Sequence, residues 1–306
     1  MVDLIQWNNF IRSAKNGHFI FYRQYMEYHS DRFVDHSLLC HNDRGELLAV
    51  LPANREDSVL ISHNGLTFGG LIMAKSLKFE SVVRIFECIS DYMRNNGLIK
   101  LIYKKMPNIY SRIPSDEDVY ALYLEKANLQ NIQITSSIRL NDRIAFQKLR
   151  SRQIKKAHSA GIQLLELDRL DNYWKLLSSV LYEQHKKTPV HSVSEINALW
   201  KLFPNNIIAY GAFLADRLIA GVIIYLSGNV AHVQYIASGS EGKKVGALDA
   251  LFDFLINKYT DQKEYFDFGV SSTGVDTDPF NRGLLSQKQG FGARAILHQI
   301  YELDIK

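Results

Sequence analysis

Three apolar runs, IIAYGAFLA (207–215), LIAGVIIYLS (218–227) and VAHVQYIAS (230–238), are separated only by turns at Asp216-Arg217 and Gly228-Asn229. Connections this short join antiparallel neighbours, so the runs predict a three-stranded meander. Beyond them, Leu248, Leu251, Phe252, Leu255, Ile256 and Tyr259 recur at the helical spacing that buries one face. EYFDFGV (264–270) reads as a strand, LLSQKQGF (284–291) as a short helix ended by Gly292, and ARAILHQIYELDI (293–305) as a last strand. Upstream lie a strand at 161–168 and helices at 170–185 and 194–203. The first half repeats this order: a helix at 4–15, strands near 35–41, 46–52 and 57–63, a helix at 79–96, a strand at 98–105, a helix near 116–126 and a strand near 131–140. HNDRGELLAVL (41–51) and FLADRLIAGVII (213–224) both turn at Asp-Arg. The order predicts an α+β chain with mixed sheets, duplicated internally into domains at 1–144 and 145–306.

Composition narrows the class. At 306 residues the chain has room for two domains, and 46% hydrophobic residues supply their cores. A net charge of +4, from 36 basic and 32 acidic residues, does not by itself mark a nucleic-acid binder. Cys40 and Cys88 are the two cysteines, and neither sits in CxxC or Cys/His spacing, which argues against a disulfide scaffold or zinc module. No HxH or HExxH arrangement is present, so no metal is expected. No stretch approaches the roughly 18 apolar residues of a spanning helix, which points to a cytoplasmic protein. Charge is concentrated in one place: Lys148, Arg150, Arg152, Lys155 and Lys156 crowd the segment between the halves. That run is either a solvated helix face or an anion contact.

The segment that follows the meander carries the chemistry. In GSEGKKVGA (239–247), Gly239, Gly242 and Gly246 permit close approach, Lys243 and Lys244 add charge, and a helix follows. Such a turn either cradles phosphate oxygens on backbone N–H groups or merely joins two elements. It is neither a Walker A loop nor a GxGxxG turn. The element order, with this turn after the third meander strand, resembles the GNAT acyltransferase fold. QYIASGS, YFDFGVSS and GLLSQKQGFGA further resemble the blocks of the FemABX group of tandem-GNAT acyltransferases, as does the basic RSRQIKKAHSAGI linker. The resemblance covers most of residues 150–305.

It implies two tandem GNAT-like domains, the first degenerate and the second carrying the donor site. The donor implied is acyl-CoA, acetyl-CoA foremost, with its pyrophosphate on Ser238, Gly239, Gly242, Lys243, Lys244, Val245 and Gly246. The acceptor implied is an amine of a cell-envelope or surface-glycan precursor, such as an amino sugar or a peptidoglycan-type precursor. Two alternatives stay open: aminoacyl-tRNA as donor, held by the basic cluster, and a non-catalytic binding module.

Catalytic candidates are few, because backbone N–H groups can supply most of the polarisation in such a site. Through the K-x-x-F-G block, Lys288 takes the place of a family lysine near the reacting carbonyl; the other reading is an exposed lysine. Strict alternation along 230–238 puts His232, Gln234 and Ile236 on one face, where His232 and Gln234 form a satisfied polar pair or serve as base and substrate contact. Asp267, between two phenylalanines, is a base or an anchor for the next loop. GVSSTG (269–274) is not a nucleophile elbow. Tyr235 and His191, and the aromatic and charged segment holding Tyr22, Arg23, Tyr25 and His29, are expected on the acceptor side with His63, whose HNGLTFGG run permits close backbone approach.

Overall fold

The structure, a computed structural model, describes residues 3–273 and 279–305. It divides into two compact units, residues 1–133 with 297–306 and residues 134–296. The division falls between Gln133 and Ile134 where the sequence suggested 144/145, and the chain's last residues close the first unit.

In the first unit, α1 (Leu4–Ser13) is capped by Asp3, whose carboxylate accepts the Ile5 N–H at 2.8 Å. A short α2 (Arg23–Met26) follows, then β1 (Val34–Asp35), β2 (Leu38–His41), β3 (Leu47–Leu51), β4 (Asn54–Glu56), β5 (Val59–Ile61) and β6 (Ile72–Met73). Next come α3 (Phe79–Asn95), β7 (Lys100–Lys104) and α4 (Glu117–Leu124). Strands β2, β3 and β6 form one sheet, while β1, β4, β5 and β7 run side by side in another. The buried stripe of α3, Val82, Ile85, Phe86, Ile89 and Met93, packs into the core with Leu60, Leu101 and Tyr103. Buried Tyr103 has its hydroxyl satisfied twice: it donates to Asp118 Oδ2 at 2.6 Å and accepts from Leu71 N–H at 2.6 Å.

After β8 (Asn128–Arg139), the second unit continues with α5 (Lys148–Ser159), β9 (Gln163–Glu166), α6 (Asp171–His185) and α7 (Val193–Leu202). The meander is β10 (Ile207–Leu214), β11 (Arg217–Leu226) and β12 (Val230–Ser238), antiparallel as its short turns require. Then follow α8 (Ser240–Val245), α9 (Ala247–Tyr259), β13 (Tyr265–Val270), α10 (Arg282–Gly290) and β14 (Arg294–Asp304), whose end pairs with β7. The strand order in this unit is β8-β13-β12-β11-β10-β9. The predicted stripe of α9 is buried against Val222, Ile224, Val233, Phe266 and Phe291. Its Tyr259 hydroxyl meets that of Tyr210 at 2.9 Å.

Each unit contains a strand, a helical crossover and a parallel strand: β5-α3-β7 in the first and β12-α8-α9-β13 in the second. The repeated order in the sequence therefore corresponds to a repeated motif. The glycine-rich entry to the crossover belongs to the second unit, because β5 reaches α3 only through β6 and its flanking loops.

Candidate functional site

Strand β12 is paired on both sides at its start and on one side at its end. Its parallel ladder with β13 runs Val230↔Tyr265, Ala231↔Phe266 and His232↔Asp267, and the two strands then part. Against β11 the register runs Ile224↔Val233 and then Ile223↔Tyr235, so Gln234 is the extra residue of a β-bulge. The bulge resets the alternation. Ala231, Val233 and Ile236 pack with Leu251 and Phe252 of α9, whereas Tyr235 meets Trp174 of α6, ring centroids 5.2 Å apart. The expected common face of His232, Gln234 and Ile236 is thus corrected: one inserted residue shifts everything beyond Val233 by one position. Past the bulge, backbone N–H groups of β12 on the β13 side face an opening fork.

Asp267, fully buried, sits where the fork begins. Its Oδ1 accepts from Thr135 Oγ1 at 2.6 Å and from Gly269 N–H at 3.3 Å, and His232 Nδ1 lies 2.8 Å from Oδ2. A carboxylate at this distance holds the proton on Nδ1 and makes Nε2 the basic nitrogen. Asp267 therefore anchors the loop amide and orients His232 at once. Sequence reasoning named these two residues separately; the parallel register brings them together. Gly269 has φ +74, and a Cβ there would stand 3.3 Å from Val233 O, so the residue after Phe268 can be only small and left-handed.

Lys288 on α10 is 3% exposed, which corrects its reading as a surface lysine. Nζ donates to Gly269 O at 2.6 Å, Val270 O at 3.0 Å and Ser271 Oγ at 2.8 Å. Three donors meet three acceptors, and the ammonium staples the end of β13. Burial pulls its pKa down to about 8, with the charge of Asp267 acting the other way. Of the rejected nucleophile segment, Ser272 Oγ accepts from Ile134 N–H at 2.9 Å, and Gly274 lies outside the described residues.

A cavity of about 410 Å³ opens beside the end of β12. Ser238, Gly242, Lys243 and Gly246 line it. The expected turn is in fact α8, broken from α9 at Gly246 (φ +76), where a Cβ would stand 2.6 Å from Gln153 O. Gly242 serves packing: a Cβ would lie 2.5 Å from Ile219 O, so α8 rests directly on β11. Gly239, Lys244 and Val245 are not in the lining: Gly239 N–H donates to Ile219 O at 3.0 Å, Lys244 points to solvent and Val245 packs on an apolar patch. Helical winding turned these residues away from the others.

The opposite walls come from α5, the start of α9 and α10. Arg150 donates to Asp249 at 2.6 Å, and burial raises the Asp249 pKa against the lowering effect of that arginine. The Ser238 hydroxyl is buried with no hydrogen-bond partner. Gln153 and Gln287 complete the polar lining. Arg150 belongs to the charge cluster flagged in the sequence; the two glutamines and Gly283 carried no signal. Beside the Asp249 carboxylate, which Arg150 pairs, one exposed lysine, two amides and an unsatisfied hydroxyl leave the lining able to hold a polyanionic tail.

His191 Nδ1 lies 2.5 Å from Tyr235 Oη, which brings these two residues together with Trp174. Gln234 is half-buried on the bulge. In the first unit the aromatic and charged segment is wound into short helical turns. Arg23 is buried in a bidentate pair with Asp35 at 3.1 and 3.2 Å and lies 5.5 Å above the Trp7 ring. Tyr25 is 4% exposed and edge-on to Phe19, so both side chains hold the unit together. Tyr22 is half-buried. His29 and His63 stack with centroids 5.1 Å apart, and burial, reinforced by His29, takes the His63 pKa down to about 3. Among the described residues no group of three His, Cys, Asp or Glu could hold a metal, and no helix is long and apolar enough to cross a membrane.

Residues 146–279 match the model of the acetyltransferase (GNAT) domain. Among solved structures the chain is similar to FemX, at TM-score 0.71 and 11% identity over 99% of this chain and 96% of that one. It is similar to the C-terminal domain of a putative lysylphosphatidylglycerol synthetase from Agrobacterium fabrum, at TM-score 0.63 and 10% identity over 98% and 91%. A tandem GNAT protein from the clavulanic acid biosynthesis pathway gives TM-score 0.50 and 11% identity over 90% and 86%. No curated protein sequence matches. Residues 146–279, within the second unit, are thus an acetyltransferase (GNAT) domain by their family model, and the chain as a whole shares its fold with FemX and with a tandem GNAT protein.

Proposed function

We infer that the protein is an N-acyltransferase that moves an acyl group from a CoA thioester to an amine of a cell-envelope or surface-glycan precursor. The observation that carries this reading is the cavity at Ser238, Gly242, Lys243 and Gly246, which opens at the end of the same strand whose bulge and fork lie a few residues earlier. Phosphates of the donor tail rest between Lys243, Arg150 and the Ser238 hydroxyl. The thioester carbonyl reaches the fork, where backbone N–H groups of β12 receive the developing negative charge.

His232, held by Asp267, takes the proton released as the amine nitrogen bonds to the carbonyl carbon, and returns it to the thiolate freed when the C–S bond breaks. Lys288 fixes the backbone that closes the fork; in this reading it acts through Gly269 and Val270 rather than by touching the oxyanion. Gln234, Tyr235 and His191 face the acceptor. The exposed Lys148, Arg152, Lys155 and Lys156 of α5 support a second reading, aminoacyl-tRNA as donor, which binding with a steep salt dependence distinguishes.

The test is a mass-spectrometric transfer assay of the full chain with acetyl-, propionyl- and succinyl-CoA against a panel of amino sugars and their nucleotides. One acylated amine formed stoichiometrically with free CoA supports the reading. Hydrolysis alone, or turnover only with aminoacyl-tRNA, overturns it.

A further inference from the structure

A second cavity, of about 500 Å³, lies in the first unit and has no part in the chemistry above. Its lining is Asn108, Asp116, Val119, Tyr120, Tyr123 and Gln299. Helix α4 buries Asp118, Ala121 and Leu122 and turns Tyr120 and Tyr123 outward, at 54% and 72% exposure. Two neighbouring rings this open form the kind of exposed patch that marks an interaction site. Their centroids are 5.7 Å apart, and Phe79 props Tyr120 from behind, edge-on at 5.4 Å. The rings are thereby held as a surface.

Beside the rings stand flat polar groups. Asn108 Nδ2 donates to Asp116 Oδ2 at 2.6 Å, and Asp116 Oδ1 lies 3.4 Å from the buried Lys105 Nζ. These contacts fix the Asn108 amide and the Asp116 carboxylate at the rim, and Gln299 adds a second amide. No arginine or lysine lines the cavity, which argues against a phosphate or nucleotide ligand. The volume falls within the roughly 300–1,000 Å³ typical of small-molecule sites.

We propose that this cavity binds a neutral carbohydrate chain. Sugar rings present C–H faces to the two tyrosines and hydroxyls to Asn108, Asp116 and Gln299, a pairing of aromatic face with planar hydrogen-bonding groups that neither a phosphate nor a purely apolar ligand would use. A protein partner would use the tyrosines but has no need of the three planar polar groups in the same lining. The inference stands apart from the transferase reading, because binding requires no donor and no turnover.

Saturation-transfer NMR and calorimetric titration of the full chain with chitotetraose, cellotetraose and maltotetraose test it. At least one should saturate at millimolar concentration, with Tyr120→Ala and Tyr123→Ala each weakening it about tenfold. Both residues are exposed, so the melting temperature should stay unchanged, and Tyr182→Ala, at another exposed tyrosine, should leave binding intact. Absence of saturation by all three sugars overturns the proposal, as does binding that survives the double tyrosine variant. Loss of a self-associated state in Tyr123→Ala without any sugar binding assigns the face to a second copy of the chain and overturns it equally.

Discussion

His232 and Asp267 meet across the last rung of the β12–β13 ladder, Nδ1 to Oδ2 at 2.8 Å, immediately before the strands part. Asp267→Asn keeps the shape but removes the charge that fixes the histidine tautomer. It should lower kcat about a hundredfold or more, as should His232→Ala. Acetyl-CoA should still raise the melting temperature of both variants, since neither residue lines the cavity beside Ser238. Steady-state kinetics beside a thermal-shift titration checks the split.

Lys288 gives a prediction with two opposed signs. Its pKa in the fold is about 8 against an ordinary 10.5, so between those values the unfolded chain holds the extra proton. Stability should therefore rise with pH through that window, by at most about 1.4 kcal/mol per unit. The neutral amine has one N–H fewer for Gly269 O, Val270 O and Ser271 Oγ, so activity should fall over the same range. Lys288→Met should be poorly active at every pH and lose the alkaline stabilisation. Parallel pH profiles of kcat and of the melting temperature measure both.

Gly246 and Gly161 both have φ +76, yet only at Gly246 does the chain leave no room for a side chain. Gly161→Ala should cost about 1 kcal/mol from backbone strain alone. Gly246→Ala must also push Gln153 O away from 2.6 Å, so it should cost roughly 2–4 kcal/mol and abolish the acetyl-CoA shift. Denaturant unfolding of the two variants compares them directly.

Acid should weaken the first unit through His63. Its pKa of about 3 reflects burial and then the neighbouring His29, with Lys104 and Arg23 acting in the same direction and Asp35 opposing. The fold holds this ring neutral while the unfolded chain protonates it near 6.5, so stability is lost as pH falls below 6.5 toward 3. Because φ is +60 there, His63→Asn suits the backbone. The drop in melting temperature between pH 7 and pH 5 should shrink in that variant.

The pattern of apolar positions revealed the elements that bury one face. The α9 stripe and the three meander strands stand where periodicity puts them, because local spacing and core burial agree. Gln234 escaped for a physical reason: a bulge is set by how β12 registers against β11, and nothing within VAHVQYIAS marks it. The turn after β12 was legible in its glycines but not in its winding, since α8 depends on Gly242 settling against Ile219 O. Arg150 was visible only as part of a charge run, because its partner Asp249 lies on another helix. Lys288 was found through a family block, and only packing reveals that it is buried and fully hydrogen-bonded.

The central claim is that a phosphorylated thioester lies in the cavity beside Ser238. Isothermal titration of acetyl-CoA into the full chain and into Lys243→Ala, Ser238→Ala and Arg150→Ala tests it most directly. Binding to the wild-type chain, weakened about three- to tenfold in the first two and lost in the third, is the predicted result. No binding of any CoA thioester, or an affinity that all three variants leave unchanged, would contradict it.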